Sequence, residues 1–282
     1  MSADIWSSTD FPYMCLKDEP RTLAFRQAIE AVVRPGMRVV DVGSGTGILA
    51  LFAAAAGASE VHAVEIDPML AAAIRQTAEC NGFGEVIRVV EADAAGAELP
   101  VADVVIAELI DTALLDELQV PVLNRLRGRG VITAATRVIP GAYRTYLELV
   151  RSNQEYYGFQ IRAPKHEWPF YAQAGQGWHD TSVEVVSDRV LIGTYDFEAG
   201  SVSPEHDQIV TFATPSGRAN AVRISGEIGL VDGMVLGPTN AVNGDKILPL
   251  ELLEHTVGDS FRVRFTMGDG LGTFQMEAVA AA

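Results

Sequence analysis

Cysteine is nearly missing from this 282-residue chain. Cys15 and Cys80 are the only two, far apart and without metal-ligand spacing. Neither a disulfide framework nor a thiolate metal site is expected, and a reducing, cytoplasmic setting is. Positive charge is also scarce. The 21 Lys and Arg against 37 Asp and Glu give a formal net charge of −16. Such a surface repels phosphate backbones and argues against a nucleic-acid substrate; it attracts a cationic acceptor, or serves solubility alone. No apolar run reaches membrane-spanning length, so no membrane association is expected. Residues 1–10 lack a basic stretch followed by an apolar core, so no secretory signal is expected. What remains, at 48% hydrophobic and 21% charged, is globular and long enough for one large domain or two ordinary ones.

The most informative stretch is Val39-Val40-Asp41-Val42-Gly43-Ser44-Gly45-Thr46-Gly47-Ile48-Leu49-Ala50. Its β-branched start fits a buried parallel strand. Glycines at every second position then permit left-handed backbone and close approach of a ligand. Residues 48–56 are rich in Ala and Leu, as in a helix whose free first-turn amides can hold an anionic group. A second strand, Val61-His62-Ala63-Val64-Glu65-Ile66-Asp67, ends in acids. Glu65 is placed there to take both ribose hydroxyls of a nucleoside. The G-x-G-x-G spacing after Val-Asp-Val resembles motif I of the S-adenosylmethionine (SAM) methyltransferases. A dinucleotide fold more often shows G-x-G-x-x-G, which leaves NAD as the runner-up. Asp41, Gly43, Gly45, Gly47 and Glu65 are therefore the expected cofactor side.

Around this centre the pattern is α/β. Asp18-Glu19-Pro20-Arg21 predicts a helix entry, with Asp18 as cap and Pro20 in the first turn. Pro68 opens a helix to about Cys80, and residues 86–90 form a third strand, followed by Glu91-Ala92-Asp93. An acid at that point of this fold class commonly meets the adenine amino group, so Asp93 is a candidate, or a plain turn residue. Residues 103–106 predict a fourth strand with Glu108 beyond its carboxyl end. Ligands of open α/β sheets bind there, so Gly43, Glu65, Asp93 and Glu108 are expected to open onto one crevice. Residues 114–126 predict a helix disturbed at Pro121, and 131–134 a fifth strand. Beyond Ile139 the runs at 143–150, 183–186, 208–212, 221–228, 245–250 and 261–267 have the spacing of an antiparallel sandwich or barrel. The expected division is a doubly wound, Rossmann-like domain over 1–139 and a mostly antiparallel domain over 140–282.

Residues 108–117 read Glu-Leu-Ile-Asp-Thr-Ala-Leu-Leu-Asp-Glu, four acids beside that crevice. Glu108 and Glu117 converge on one planar guanidinium if the chain loops back. The same spacing also describes a solvated acidic helix start. Here the chain resembles the protein arginine methyltransferase family, over most of its length. Leu16-Lys17-Asp18-Glu19-Pro20-Arg21-Thr22 is similar to the family's N-terminal helix signature. The glycine turn and Glu65 are similar to its cofactor motifs, and Glu108 and Glu117 to its double-glutamate loop. Glu-Leu-Ile-Asp-Thr is closest to the branch with Glu-Leu-Phe-Asp-Thr, many of whose members only monomethylate. The resemblance implies a SAM-binding Rossmann domain followed by a β-barrel. It implies Arg21 on the SAM carboxylate, Glu108 and Glu117 on the acceptor guanidinium, and Asp18 paired with a catalytic histidine. It also implies a homodimer built by an arm around 160–178, which here is rich in aromatics. The acceptor would be a cationic peptide, as a peptidyl arginine, or a small guanidine or amine.

One departure matters. The family's Thr-His-Trp, placed before a strand ending near Pro-Leu-Glu, is absent from the chain. Counting back from Pro249-Leu250-Glu251 puts Ala241-Val242-Asn243 there. Asp18 then lacks its histidine and the pocket its tryptophan. His166, Trp168, Trp178 and His179 are read as arm or core residues, Cys15 stands where the family often has Met, and Asp111 and Asp116 become candidates to take the proton. The loss leaves open a SAM-binding protein without catalysis that serves as a partner or sensor.

Overall fold

The computed structural model describes residues 6–169, 183–213, 218–254 and 258–279. Helices α1 (Phe11–Lys17) and α2 (Glu19–Val32) lead into β1 (Arg38–Val42), α3 (Ile48–Ala55) and β2 (Glu60–Glu65). Then come α4 (Pro68–Cys80), β3 (Ile87–Glu91), β4 (Val104–Ala107), α5 (Gln119–Gly128) and β5 (Arg137–Ile139). The five strands pair in parallel in the order β3-β2-β1-β4-β5. Val39, Val40, Val61, Val104, Val105 and Ile106 are fully buried, which explains why the central strands read as unbroken apolar runs. Helix α2 starts as expected: an Asp18 carboxylate oxygen accepts from the Arg21 amide, and Phe25 and Ile29 face the core. Helix α4 starts behind Asp67, whose carboxylate accepts from the Met69 and Leu70 amides ahead of Pro68's second turn.

Two local expectations need correction. The helix expected over 114–126 begins only at Gln119, with Pro121 in its first turn. Residues Thr112–Leu114 form a 3-10 turn in which Ala113 (φ +62°) and Leu114 (φ +59°) are left-handed. The fifth strand is not at 131–134. The Val131 amide instead caps α5 on Leu126, and Thr133 and Thr136 hydroxyls stabilise a turn, so the strand starts at Arg137.

The remaining strands pair antiparallel. They are β6 (Ala142–Ser152), β7 (Glu155–Tyr156), β8 (Phe159–Gln160), β9 (Lys165–Glu167), β10 (Val183–Val185) and β11 (Val190–Asp196). After them come β12 (Glu205–Thr211), β13 (Arg218–Gly229), β14 (Val235–Leu236), β15 (Asp245–Glu254), β16 (Ser260–Thr266) and β17 (Gln275–Ala278). One sheet runs β10-β6-β13-β15-β9, with β11 also on β6 and β14 on β13. A smaller sheet is β12-β16-β17. Strand β11 escapes a sequence reading because a register shift between Leu191 and Gly193 breaks its alternation. One apolar core joins both halves, from Phe25 and Val104 through Tyr143 to Val222 and Phe265. Among the described residues no helix is long and apolar enough to cross a membrane. Of the expected arm, Phe170, Tyr171, Trp178 and His179 lie outside the described residues. Strand β9, inside the expected arm, is a paired strand of the larger sheet: His166 sits opposite Lys246 of β15.

Candidate active site

Strand register assembles the site. Val42 of β1 is level with Val64 of β2 and with Ala107 of β4. The next residues, Gly43, Glu65 and Glu108, therefore emerge side by side at the carboxyl edge, where the strand order reverses about β1. They open on a cavity of ≈ 500 Å³ that is also lined by Arg21, Gly45, Asp93 and Glu117. That volume is in the range of a small-molecule site. Three expected site residues do not line it: Asp18, Asp41 and Gly47.

The cofactor end is held mostly by backbone. Gly43 (φ +66°) and Gly45 (φ +54°) are left-handed, and a Cβ on Gly43 would lie 2.6 Å from Leu109 Cδ2. The Gly45 amide donates to Glu65 Oε2 at 2.7 Å, and the Asp67 amide donates to Oε1 at 2.9 Å. Asp93 is exposed and accepts from the Ala95 amide. Behind the turn, burial pushes the Asp41 carboxyl up to about 7, and its Oδ2 has no hydrogen-bond partner among the described residues. Gly47 packs against Ile74, which a Cβ would approach to 3.1 Å. Both residues support the turn from outside the cavity. An acid on the glycine turn, a second acid beyond β3 and the apolar Ile66 and Leu70 between them fit a nucleoside.

The acid end is less symmetric than two equivalent carboxylates. Arg21 donates to Glu108 through Nε, at 2.9 Å, and through Nη2, and its Nη1 reaches the Cys15 carbonyl. The side chains of Arg21 and Glu108 are 6% and 9% exposed. Arg21, expected on a cofactor carboxylate, is thus engaged with Glu108. Glu117 lines the same cavity, and no ion pair to it occurs among the described residues. Burial, with Glu108 and Asp111 adding like charge, pushes its carboxyl well above the usual range. Burial and the charge of Glu108 likewise push the Cys15 thiol up to about 12.

Asp18 is corrected from a catalytic partner to a brace. Its second oxygen accepts from the Ala241 amide at 2.7 Å, so it reaches the expected Thr-His-Trp position and finds backbone. Asn243 there is fully buried, accepts from the Tyr143 hydroxyl and donates to the Gly226 carbonyl. Asp111 and Asp116, the candidates to take the proton, both bind Lys246. Sequence reasoning missed Lys246, which lines the cavity together with His166 and Trp168, the two read as arm or core residues. The Trp168 ring occupies the space beside Gly244, where a Cβ would come within 2.6 Å of it. The available signal was charge: four acids in ten residues call for a buried cation, and the count back from Pro249 to 241–243 passes over one, Lys246.

The model of the family described as ribosomal protein L11 methyltransferase (PrmA) matches residues 20–168, just over half of the chain. An uncharacterized protein of Methanocaldococcus jannaschii is 30% identical over 84% of this chain and 85% of its own. An arginine N(omega)-methyltransferase of Streptomyces achromogenes subsp. streptozoticus is 31% identical over 50% of this chain and 40% of its own. Among solved structures, the Trypanosoma brucei PRMT1 enzyme–prozyme heterotetrameric complex with AdoHcy aligns over 93% of this chain and 89% of its own, with a TM-score of 0.71 at 19% identity. That likeness concerns the fold, a parallel methyltransferase sheet followed by antiparallel sheets.

Proposed function

The chain belongs to the PrmA methyltransferase family and is a class I SAM-dependent methyltransferase similar to the protein arginine methyltransferases; from this we propose that its acceptor is a guanidino or amine nitrogen of a peptidyl arginine or a small cationic metabolite. Its cofactor is SAM, so the NAD alternative is set aside. The observation that carries the proposal is Glu117, a cavity-wall carboxyl next to Glu108 with no ion pair of its own among the described residues. A guanidinium offers the planar donors that such a carboxyl lacks.

SAM, when bound, would supply a methyl on a positively charged sulfur for an acceptor nitrogen, with AdoHcy and a proton as the other products. The chain's own part is placement. Glu65 and the amides of the glycine turn hold the nucleoside, with Asp93 at its base. Glu108, fixed by Arg21, forms one wall of the acceptor site. Glu117 grips the cation and draws its charge away from the attacking nitrogen, leaving electron density for attack. Arginine is too basic to lose a proton beforehand. A carboxyl raised by burial holds a proton more readily than an exposed one, so Glu117 assumes the role expected of Asp111 or Asp116.

The reading includes a homodimer in a cytoplasmic setting, a closed barrel over 140–282 and no nucleic-acid partner. Tyr157 and Phe159, 98% and 69% exposed on the β7–β8 hairpin just before the expected arm, support an interface. The net charge of −16 supports a cationic acceptor. Incubation with methyl-labelled SAM and a panel of arginine peptides, free arginine, small guanidines and amines tests it. Label is expected on a guanidine-bearing acceptor. AdoHcy binding without transfer to any of them would favour the partner or sensor role instead.

A further inference from the structure

The chain has three lysines, Lys17, Lys165 and Lys246. Lys17 lies over the Tyr13 ring, and Lys165 donates to Ser152 and the Asn153 carbonyl. Lys246 is different: it is 2% exposed and turned into the acidic loop. An ammonium has three donors. Lys246 Nζ meets three acceptors: Asp111 Oδ2, Asp116 Oδ2 at 2.6 Å and the Thr112 carbonyl at 3.4 Å. No donor is left for a ligand, so this cavity-wall cation does not serve as a binding group.

The same carboxylates carry the connection onward. Asp111 Oδ1 accepts from the Glu117 amide at 3.2 Å, and Asp116 Oδ1 accepts from the Leu271 amide at 2.7 Å. Between them, Ala113 and Leu114 hold left-handed backbone that an L-residue adopts only when its surroundings impose it. The Ala113 amide donates to the Tyr143 hydroxyl at 2.8 Å, and the Thr112 hydroxyl donates to the Gly244 carbonyl. The loop is thus tied to the antiparallel sheet at several points, and one ammonium joins its two flanking acids. It also gives Asp111 and Asp116 a shared cation, leaving Glu117 turned to the cavity without one among the described residues.

We propose that Lys246 is a positioning residue for methyl transfer: acting through Asp111, it fixes the backbone at Glu117 and so aims the Glu117 carboxyl at the acceptor. The catalytic consequence rests on the guanidine reading above; the hold on the loop does not. In this role Lys246 and Asp111 form one unit, and removing either releases the same loop.

The test uses Lys246→Met, Asp111→Asn and their combination in the full chain. Three quantities are read: AdoHcy affinity by calorimetry, amide hydrogen exchange over 108–118, and initial rates with labelled SAM and free arginine or an arginine peptide. Exchange over 111–117 should accelerate at least tenfold in Lys246→Met, while the 104–107 strand and AdoHcy affinity stay within about threefold of the parent. The acceptor kcat should fall about a hundredfold, as misplacement by an ångström does, with a smaller change in KM. The double variant should be no slower than the slower single one, because the two residues act as a unit. Unchanged exchange, or losses that add across the two sites, would overturn the proposal. If no guanidine is methylated by the parent protein, the functional reading falls and the exchange result still decides whether Lys246 holds the loop. Should Lys246→Met fail to fold, Asp116→Asn removes one contact of a half-exposed side chain. It should then show the same direction at about tenfold in kcat, and no change in it would count against the proposal.

Discussion

The two ends of the cavity are built by different means. The cofactor end comes from three neighbouring strands of one sheet, each contributing the residue that follows the level row Val64, Val42 and Ala107: Glu65, Gly43 and Glu108. Its acid Glu65 is satisfied by amides within two residues of itself or of the glycine turn. The acid end draws on segments far apart in the chain: Arg21, the 108–117 loop, Tyr143, His166 and Trp168, and 241–246. Here the two glutamates differ. Glu108 has a buried guanidinium, whereas Glu117 has none among the described residues. A carboxylate already paired is committed to its partner, and a carboxyl without one in a cavity wall is available for a ligand.

Stability measurements can break this comparison. Glu108→Gln leaves Arg21 as a buried cation without its counter-charge. Removing one partner of a buried pair costs about 3 kcal/mol, a Tm fall of roughly 6–10 °C in a thermal melt. An unchanged Tm would mean that Arg21 does not depend on Glu108. A smaller effect is expected at the other end. Gly43→Ala places a Cβ on left-handed backbone and against Leu109, a strain of about 1–2 kcal/mol. AdoHcy affinity should fall about tenfold by calorimetry, and an unaltered affinity would take the turn out of the cofactor site.

The smallest expected effect has the opposite sign. The raised Glu117 carboxyl keeps its proton to higher pH in the folded chain than in the unfolded one. Its contribution to stability is fully present below the ordinary carboxylate range and is lost as pH rises through the folded-state value. Glutamine does not titrate, so Glu117→Gln should match the parent at pH 4 and melt higher by roughly 2–4 °C at pH 8. A variant that melts lower at pH 8 would show that Glu117 is paired after all.

The same contrast decides what was legible in the sequence. Strand, glycine turn and second strand lie within thirty positions, and local pattern alone places Gly43, Gly45 and Glu65 on one edge. The helix cap at Asp18 and the six antiparallel runs were legible for the same reason, since each depends on its own neighbours. Asp41 and Gly47 share the motif but face inward, because alternation along β1 and contact with α4 decide direction, and neither shows in a motif. Lys246, His166 and Trp168 come together only through the pairing of β9 with β15, and the sequence separation between those strands carries no local mark of it. The tight turn at 112–114 was hidden by its helix-forming Ala113 and Leu114, whose preference the tertiary contacts of Tyr143 and Lys246 override.

The central claim is that Glu117 grips a cationic acceptor in a cavity whose other end holds the methyl donor. Titrating free arginine, and an arginine peptide, into AdoHcy-saturated protein measures this directly. Binding is expected in the parent and should weaken at least thirtyfold in Glu117→Gln, about 2 kcal/mol for a lost charge partner, with AdoHcy affinity within threefold in both. Equal guanidine affinity in the two proteins, or no guanidine binding to the parent at all, would contradict the account.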